Sequence, residues 1–231
     1  MITTRLPLLF SIMTVILAFI FLVFPWIDIK FSSMFYYGDS GFALKNLPIV
    51  EFVNKHSPLI LICCTFVILF TMFVIEWKKN KSLNIRYYTK IIYIIAVFLI
   101  GVVLIINALF KNNLFGRARP DQISNFGGNK VFSAPFIVSH QCKTNCSFVS
   151  GHASVGFAFI AFAFITNRKY KKYLILLSVL LGSSIGFIRI ISGRHFLSDI
   201  IFACATTFCI AYVMHSLSLR FGLLSKEEAT I

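Results

Sequence analysis

The stretch I-I-Y-I-I-A-V-F-L-I-G-V-V-L-I-I-N-A-L-F, residues 91–110, contains no charged side chain. A helix of about 20 such residues, rising ~1.5 Å each, spans the ~30 Å hydrocarbon core of a bilayer. It is followed at once by K-N-N-L-F-G-R-A-R-P, Lys111 to Pro120, so the apolar run ends in a cluster of cations. The rest of the chain has the same character: 58% of its 231 residues are hydrophobic, eight are acidic, and the mean hydropathy is +0.85. A water-soluble fold of this composition would lack the polar residues to cover its surface. The chain therefore reads as an all-α polytopic membrane protein, and its length suits a single membrane-embedded domain, 1–231.

Six stretches are long enough, or nearly so, to cross a bilayer: 7–27, 58–76, 91–110, 152–166, 174–191 and 198–218. They predict a six-transmembrane-helix bundle. The first reads as an uncleaved span rather than a signal peptide, because its apolar run is too long and no small-residue cleavage site precedes Asp28 and Lys30. No internal repeat or low-complexity tract interrupts the chain. The segment 31–57 alternates apolar and charged residues and reads either as a short interfacial helix or as a connector, with a break expected at Pro48.

Basic residues in short loops orient such a bundle. Lys78, Lys79, Lys81, Arg86 and Lys90 crowd 77–90, and Arg168, Lys169, Lys171 and Lys172 crowd 167–173. A six-span chain puts both loops on one side, which we assign to the cytoplasm together with both termini. Roughly 12 of the 22 basic residues then fall inside and roughly 10 outside. The outer ones gather in 111–151 and 189–194. The net charge of +14 would suit nucleic acid, anionic lipid or an acidic substrate. This placement favours an anionic group presented from the membrane, with neither nucleic acid nor a protein partner expected. Cys63, Cys64, Cys204 and Cys209 lie in apolar runs, whereas Cys142 and Cys146 sit in a polar loop.

Three polar clusters land on the same outer face. The first is Lys111 to Pro120, the second S-F-V-S-G-H-A-S from Ser147 to Ser154, and the third R-I-I-S-G-R-H-F-L-S-D from Arg189 to Asp199. Ionisable groups at a membrane edge are costly and are functional candidates by default. Lys111, Arg119 and Arg189 offer fixed positive charge, and arginine's fork matches phosphate oxygens two at a time. Ser150 at a helix N-cap would aim first-turn N–H groups outward, and Gly151 would let backbone approach a ligand. His195 and Asp199, four apart on one helical face, suit a nucleophile whose tautomer is fixed by a carboxylate. His152 is left to protonate the leaving oxygen and then activate water. No metal or other cofactor is required. A zinc site from His140, His152, His195 and Asp199 would be repelled by the surrounding arginines, and Arg194 reads as solvated. Taken singly, each histidine is an ordinary interfacial residue; the coincidence of three complementary clusters carries the reading. Two other classes stay open: a serine hydrolase using Ser150, and an anion transporter with a cationic vestibule.

These residues resemble the type 2 phosphatidic acid phosphatase superfamily. Its motifs are Lys, six residues, Arg-Pro; then Pro-Ser-Gly-His; then Ser-Arg, five residues, His, three residues, Asp. By that resemblance His195 is the nucleophile that becomes a phosphohistidine, Asp199 its partner and His152 the acid. Lys111, Arg119, Ser150, Gly151 and Arg189 would bind phosphate. Three departures occur: seven residues separate Lys111 from Arg119, so Arg117 is a candidate to share the first cation's duty; Val149 replaces the proline; Ile188 replaces the serine. The segment C-K-T-N-C-S-F-V-S-G-H-A-S is similar to the bacterial lipid A phosphatase branch, in particular the 4′-phosphatases at the outer leaflet of the inner membrane. This implies a lipid phosphatase of the bacterial inner membrane with its site at the periplasmic face. Phosphatidylglycerophosphate, phosphatidate and undecaprenyl diphosphate are the rival substrates. In such a compartment a Cys142–Cys146 disulfide is permitted.

Overall fold

The computed structural model describes residues 5–80 and 85–224. Lys81 of the expected basic loop lies outside them, as do both chain ends. The fold is all-helical: α1 (Arg5–Val23), α2 (Trp26–Ser33), α3 (Pro48–Asn80), α4 (Ile85–Ala96) with a π-wound continuation Val97–Leu114, α5 (Gly151–Phe157), α6 (Ile160–Phe164), α7 (Arg168–Ile191) and α8 (Leu197–Arg220). Among the described residues the only strand-like feature is an isolated bridge between Ile123 and Lys130.

Among the described residues, four helices are long and apolar enough to cross a membrane: Pro48–Lys79, Tyr87–Lys111, Arg168–Ile191 and Leu197–Arg220. A fifth is reached if α1 and α2, which meet at an 82° bend, count as one span. The expected first span thus turns aside at Phe24 and Pro25 rather than running straight to 27. The expected span 152–166 is the shorter apolar helix Gly151–Phe164, interrupted between α5 and α6. At ~1.5 Å per residue it covers roughly 20 Å, short of the hydrocarbon thickness. It is apolar for another reason: every residue from Ala153 to Ile165 is buried against protein. The break expected at Pro48 is instead a beginning, since proline's fixed φ and missing N–H suit the first helical position. Residues 48–57 therefore extend α3 rather than forming a separate interfacial helix.

One end of the bundle gathers the start of α3, the end of the π-wound helix and the junctions of α5, α7 and α8. Ser150 N–H donates to the Asp199 carbonyl (3.2 Å) and Cys146 N–H to that of Lys111 (3.2 Å). The opposite end holds the start of α4 and the 164–173 connection: Thr89 Oγ1 donates to the Leu223 carbonyl (2.6 Å), and the Phe164 ring lies 5.2 Å from that of His215. The described parts of the two basic loops share this end, where a six-span chain would put them. Between the ends, α5 crosses α7 at Gly156 and Gly182, where a Cβ on Gly156 would stand 2.7 Å from the Gly182 nitrogen. Small residues at such a crossing let backbones touch, the usual source of cohesion between helices in lipid.

Replacing Gly156 with leucine should wedge α5 from α7. We expect a cost of about 3 kcal/mol, seen as a lowered melting temperature of the detergent-purified protein; unchanged melting would remove this crossing from its role.

Candidate active site

Each predicted cluster is placed by a local device. Helix α7 ends in a Schellman motif: Gly193, at φ +69°, donates to Ile190 O (2.9 Å) and Arg194 N–H to Arg189 O (2.9 Å). A side chain there would also strike the Phe42 ring. This stop sets Arg189 in the last turn of α7 and turns the chain so that His195 lies just before α8. Ser150 caps α5 as expected, its Oγ accepting from Ala153 N–H at 3.5 Å. Gly151 has a different use from the one expected, because the space a Cβ would fill is taken by the Asn107 side chain. Its missing side chain lets the π-wound helix approach.

His195 and Asp199 are both 0% exposed, with Nδ1 3.5 Å from Asp199 Oδ2. That contact leaves Nε2 as the nitrogen free to react. Burial, then Arg189, Lys111, Arg119 and His152 around it, hold the His195 imidazole well below the usual histidine range, so it is neutral near pH 7. The cations come from three elements and are held by neutral oxygens. Lys111 Nζ donates to Asn145 Oδ1 (2.8 Å), Arg119 Nη2 to the Asn145 carbonyl (2.8 Å), and Arg189 Nη1 to Asn54 Oδ1 (2.9 Å). His152 Nε2 lies 3.1 Å from the Asn54 carbonyl. Arg189 Nε and both ring nitrogens of His195 are buried without a hydrogen-bond partner. Unpartnered buried groups call for an explanation, and a ligand seated among these side chains would supply one.

Arg117 is placed elsewhere than expected. It is 1% exposed, and four of its five N–H bonds are spent within the protein: Nε on Ser133 O (2.8 Å), Nη1 on Asp199 Oδ1 (2.6 Å) and Ser198 Oγ (2.9 Å), Nη2 on Asp28 Oδ2 (2.8 Å). Its guanidinium also lies 4.3 Å from the Phe196 ring centroid. The physical reason is charge: two buried carboxylates need a cation, and Arg117 supplies it instead of sharing the duty of Lys111. Arg194 is at the rim, 42% exposed and 3.3 Å from Asp121. His140 stays out in the loop, and among the described residues no group of three His, Cys, Asp or Glu side chains could hold a metal ion. Cys142 and Cys146 are disulfide-bonded, Cα to Cα 5.6 Å.

Sequence reasoning missed Asp28, Asn54, Asn145, Ser147 and Ser198. Ser147 Oγ donates to Asp199 Oδ2, and Phe196 N–H donates to the same oxygen (2.8 Å). Asp28 could have been found by the rule applied to the other ions, since it is an acid at the edge of an apolar run. The two asparagines leave no comparable signal.

The fold and site together define a class: an all-helical membrane protein whose buried histidine–aspartate pair is ringed by cations and a second histidine. The chain belongs to the PAP2 superfamily, which matches residues 90–222. It is 33% identical over 209 residues to the lipid A 4'-phosphatase of Francisella tularensis subsp. novicida (strain U112), covering 87% of this chain and 90% of that one. It is 28% identical over 200 residues to the lipid A 4'-phosphatase of Rhizobium leguminosarum, covering 79% and 83%. No solved structure matches the chain.

The neutrality of His195 is directly testable. In ring-labelled protein, its NMR signals should show no protonation between about pH 7 and about pH 5.5, since a lowered pKa keeps the base form as pH falls. A midpoint near the ordinary histidine value would contradict this electrostatic account.

Proposed function

We propose that the protein is a lipid A phosphatase of the bacterial inner membrane, removing the 4′-phosphate at the periplasmic face through a phosphohistidine. The observation that carries this reading is a neutral, unpartnered His195 set against Asp199 and encircled by Lys111, Arg119, Arg189 and His152. The relatives' names supply the lipid.

In the reaction, the phosphate sits among the three cations and the Gly151 and His152 N–H groups at the start of α5. Its negative charge opposes the burial, Arg189 and Lys111 that lower the His152 pKa, and so favours the protonated imidazole in the complex. The His195 Nε2 lone pair forms the P–N bond as the P–O bond to the sugar breaks, and the leaving oxygen takes the His152 proton. Asp199 stabilises the imidazolium that results. Water then attacks phosphorus and gives a proton to His152; the P–N bond breaks, and its electron pair returns to His195. Three fixed cations stabilise the equatorial oxygens in both steps. Ser150 is ill suited as a nucleophile, because its oxygen is engaged as the cap of α5.

The lipid enters sideways. A groove of about 330 Å³ between α3 and the π-wound helix is lined by Ile62, Phe66, Leu69, Leu99 and Val103, with Val155 on its floor one turn below His152. It gives an acyl chain a path toward the phosphate site from within the bilayer. In this topology Gly151–Phe164 acts as the sixth, protein-sheathed crossing, both termini are cytoplasmic, and the disulfide lies in an oxidising compartment.

Phosphate release by the purified protein should be fastest from lipid A and slower from prenyl diphosphate and glycerophospholipids. Equal turnover of all three would remove lipid A as the assigned substrate. His195→Ala should lose about 10⁴-fold or more in kcat, and the acid-labile phosphoryl label trapped on the parent should disappear with it.

Sidedness has its own test in intact cells. Val131→Cys should react with a membrane-impermeant maleimide and Lys172→Cys should not; the reverse pattern would invert the topology.

A further inference from the structure

Asp28 is 0% exposed, lies far from the other site residues in sequence, and reaches them only because the chain bends by 82° between α1 and α2. Both its oxygens are used on the far side of Asp199 from His195's reactive nitrogen: Oδ1 accepts Ser198 N–H (2.9 Å), and Oδ2 accepts Arg117 Nη2 (2.8 Å) and the Ser198 hydroxyl. It touches neither His195 nor any of the cations assigned to phosphate. We infer that Asp28 is a positioning residue for phosphoryl transfer, neutralising Arg117 so that the negative charge of Asp199 is left for the imidazolium forming on His195.

The argument is one of charge. Arg117 makes contacts of comparable length to Asp28 (2.8 Å) and Asp199 (2.6 Å), all three groups being shut away from water. Burial opposes the guanidinium's charge, and Asp199 and Asp28 together outweigh it, holding Arg117 firmly protonated. Burial pushes the Asp28 carboxyl up and Arg117 beside it pulls it down; with both carboxylates ionised against one guanidinium, the cluster carries one negative unit beside His195. With only one carboxylate, Arg117 would cancel Asp199, and the histidine would face Arg189, Lys111, Arg119 and His152 with no anion to support its positive state. The attack on phosphorus creates that positive state, so the loss falls on the transition state and not on phosphate binding. A buried ion cluster in low dielectric makes this influence large at short range.

This inference rests on the phosphatase reading, and the experiment separates the two. The phosphomonoester turned over fastest by the parent is the substrate, and inorganic phosphate is the competitive inhibitor. If the parent hydrolyses no phosphomonoester, the functional reading itself fails. Given parental activity, Asp28→Asn should lower kcat and the single-turnover rate of phosphohistidine formation about 10- to 100-fold, with KM and the phosphate inhibition constant within about threefold. The double variant D28N/R117Q removes one charge of each sign, and should recover much of the kcat lost in D28N. A merely structural role predicts the opposite, since the double variant breaks more hydrogen bonds. Unchanged kcat in folded D28N, or a double variant slower than D28N, overturns the proposal. If D28N does not accumulate, the double variant is measured alone: kcat within about tenfold of the parent supports the proposal and a larger loss overturns it. If neither accumulates, Asp28 is structural only and the proposal fails.

Discussion

Two buried carboxylates, Asp28 and Asp199, share one buried guanidinium, and most of the site's architecture depends on that arrangement. Arg117 ties together α2, the Ser133 loop and the start of α8. Removing one partner from such a cluster typically costs about 3–5 kcal/mol, because an uncompensated charge is left in a dry interior. The sharp turn between α1 and α2 becomes intelligible in this light. A straight first helix would carry Asp28 away from α8, leaving Arg117 with a single counter-ion.

The same cluster allows three cations and a second histidine to crowd around His195. Lys111, Arg119 and Arg189 are each held by an asparagine oxygen rather than by a carboxylate. A neutral acceptor fixes a cation's position without cancelling its field, so the site keeps a strong positive potential for an anion. The negative charge is instead concentrated beside His195, in the Asp199 network. On the proposed mechanism, separating the two signs in this way gives a phosphate cations on one side and supports the imidazolium from the other.

The chemistry-bearing residues were the most legible part of the sequence, because ions are rare in a chain of this hydropathy and each one stands out. His152, His195, Asp199, Lys111, Arg119 and Arg189 all come together at one end of the bundle. What stayed hidden depends on contacts without a local pattern. The role of Arg117 is set by Asp28, a residue some ninety positions away in the chain, and sequence order gives no sign of that partnership. The span count was less legible for a related reason. Apolarity at 152–166 looks the same whether lipid or protein surrounds it, and here the neighbours are helices. The long α3 escaped because Pro48 is as compatible with starting a helix as with breaking one.

The extra residue between Lys111 and Arg119 is the departure from the family pattern that most threatened the site, and the structure gives it a local answer. In a regular helix, one added residue rotates the downstream chain by about 100° and would swing one cation away from the other. Here the intervening chain is not a continuous helix, since the π-wound segment ends at Leu114. The two side chains converge on a common partner instead: Lys111 on the Asn145 side-chain oxygen and Arg119 on its carbonyl. Asn145 itself sits in the left-handed region at φ +51°, inside the short ring closed by Cys142 and Cys146. The relative placement of the two cations is therefore set by this loop, which receives both, and the number of residues between them in the chain has little hold on it.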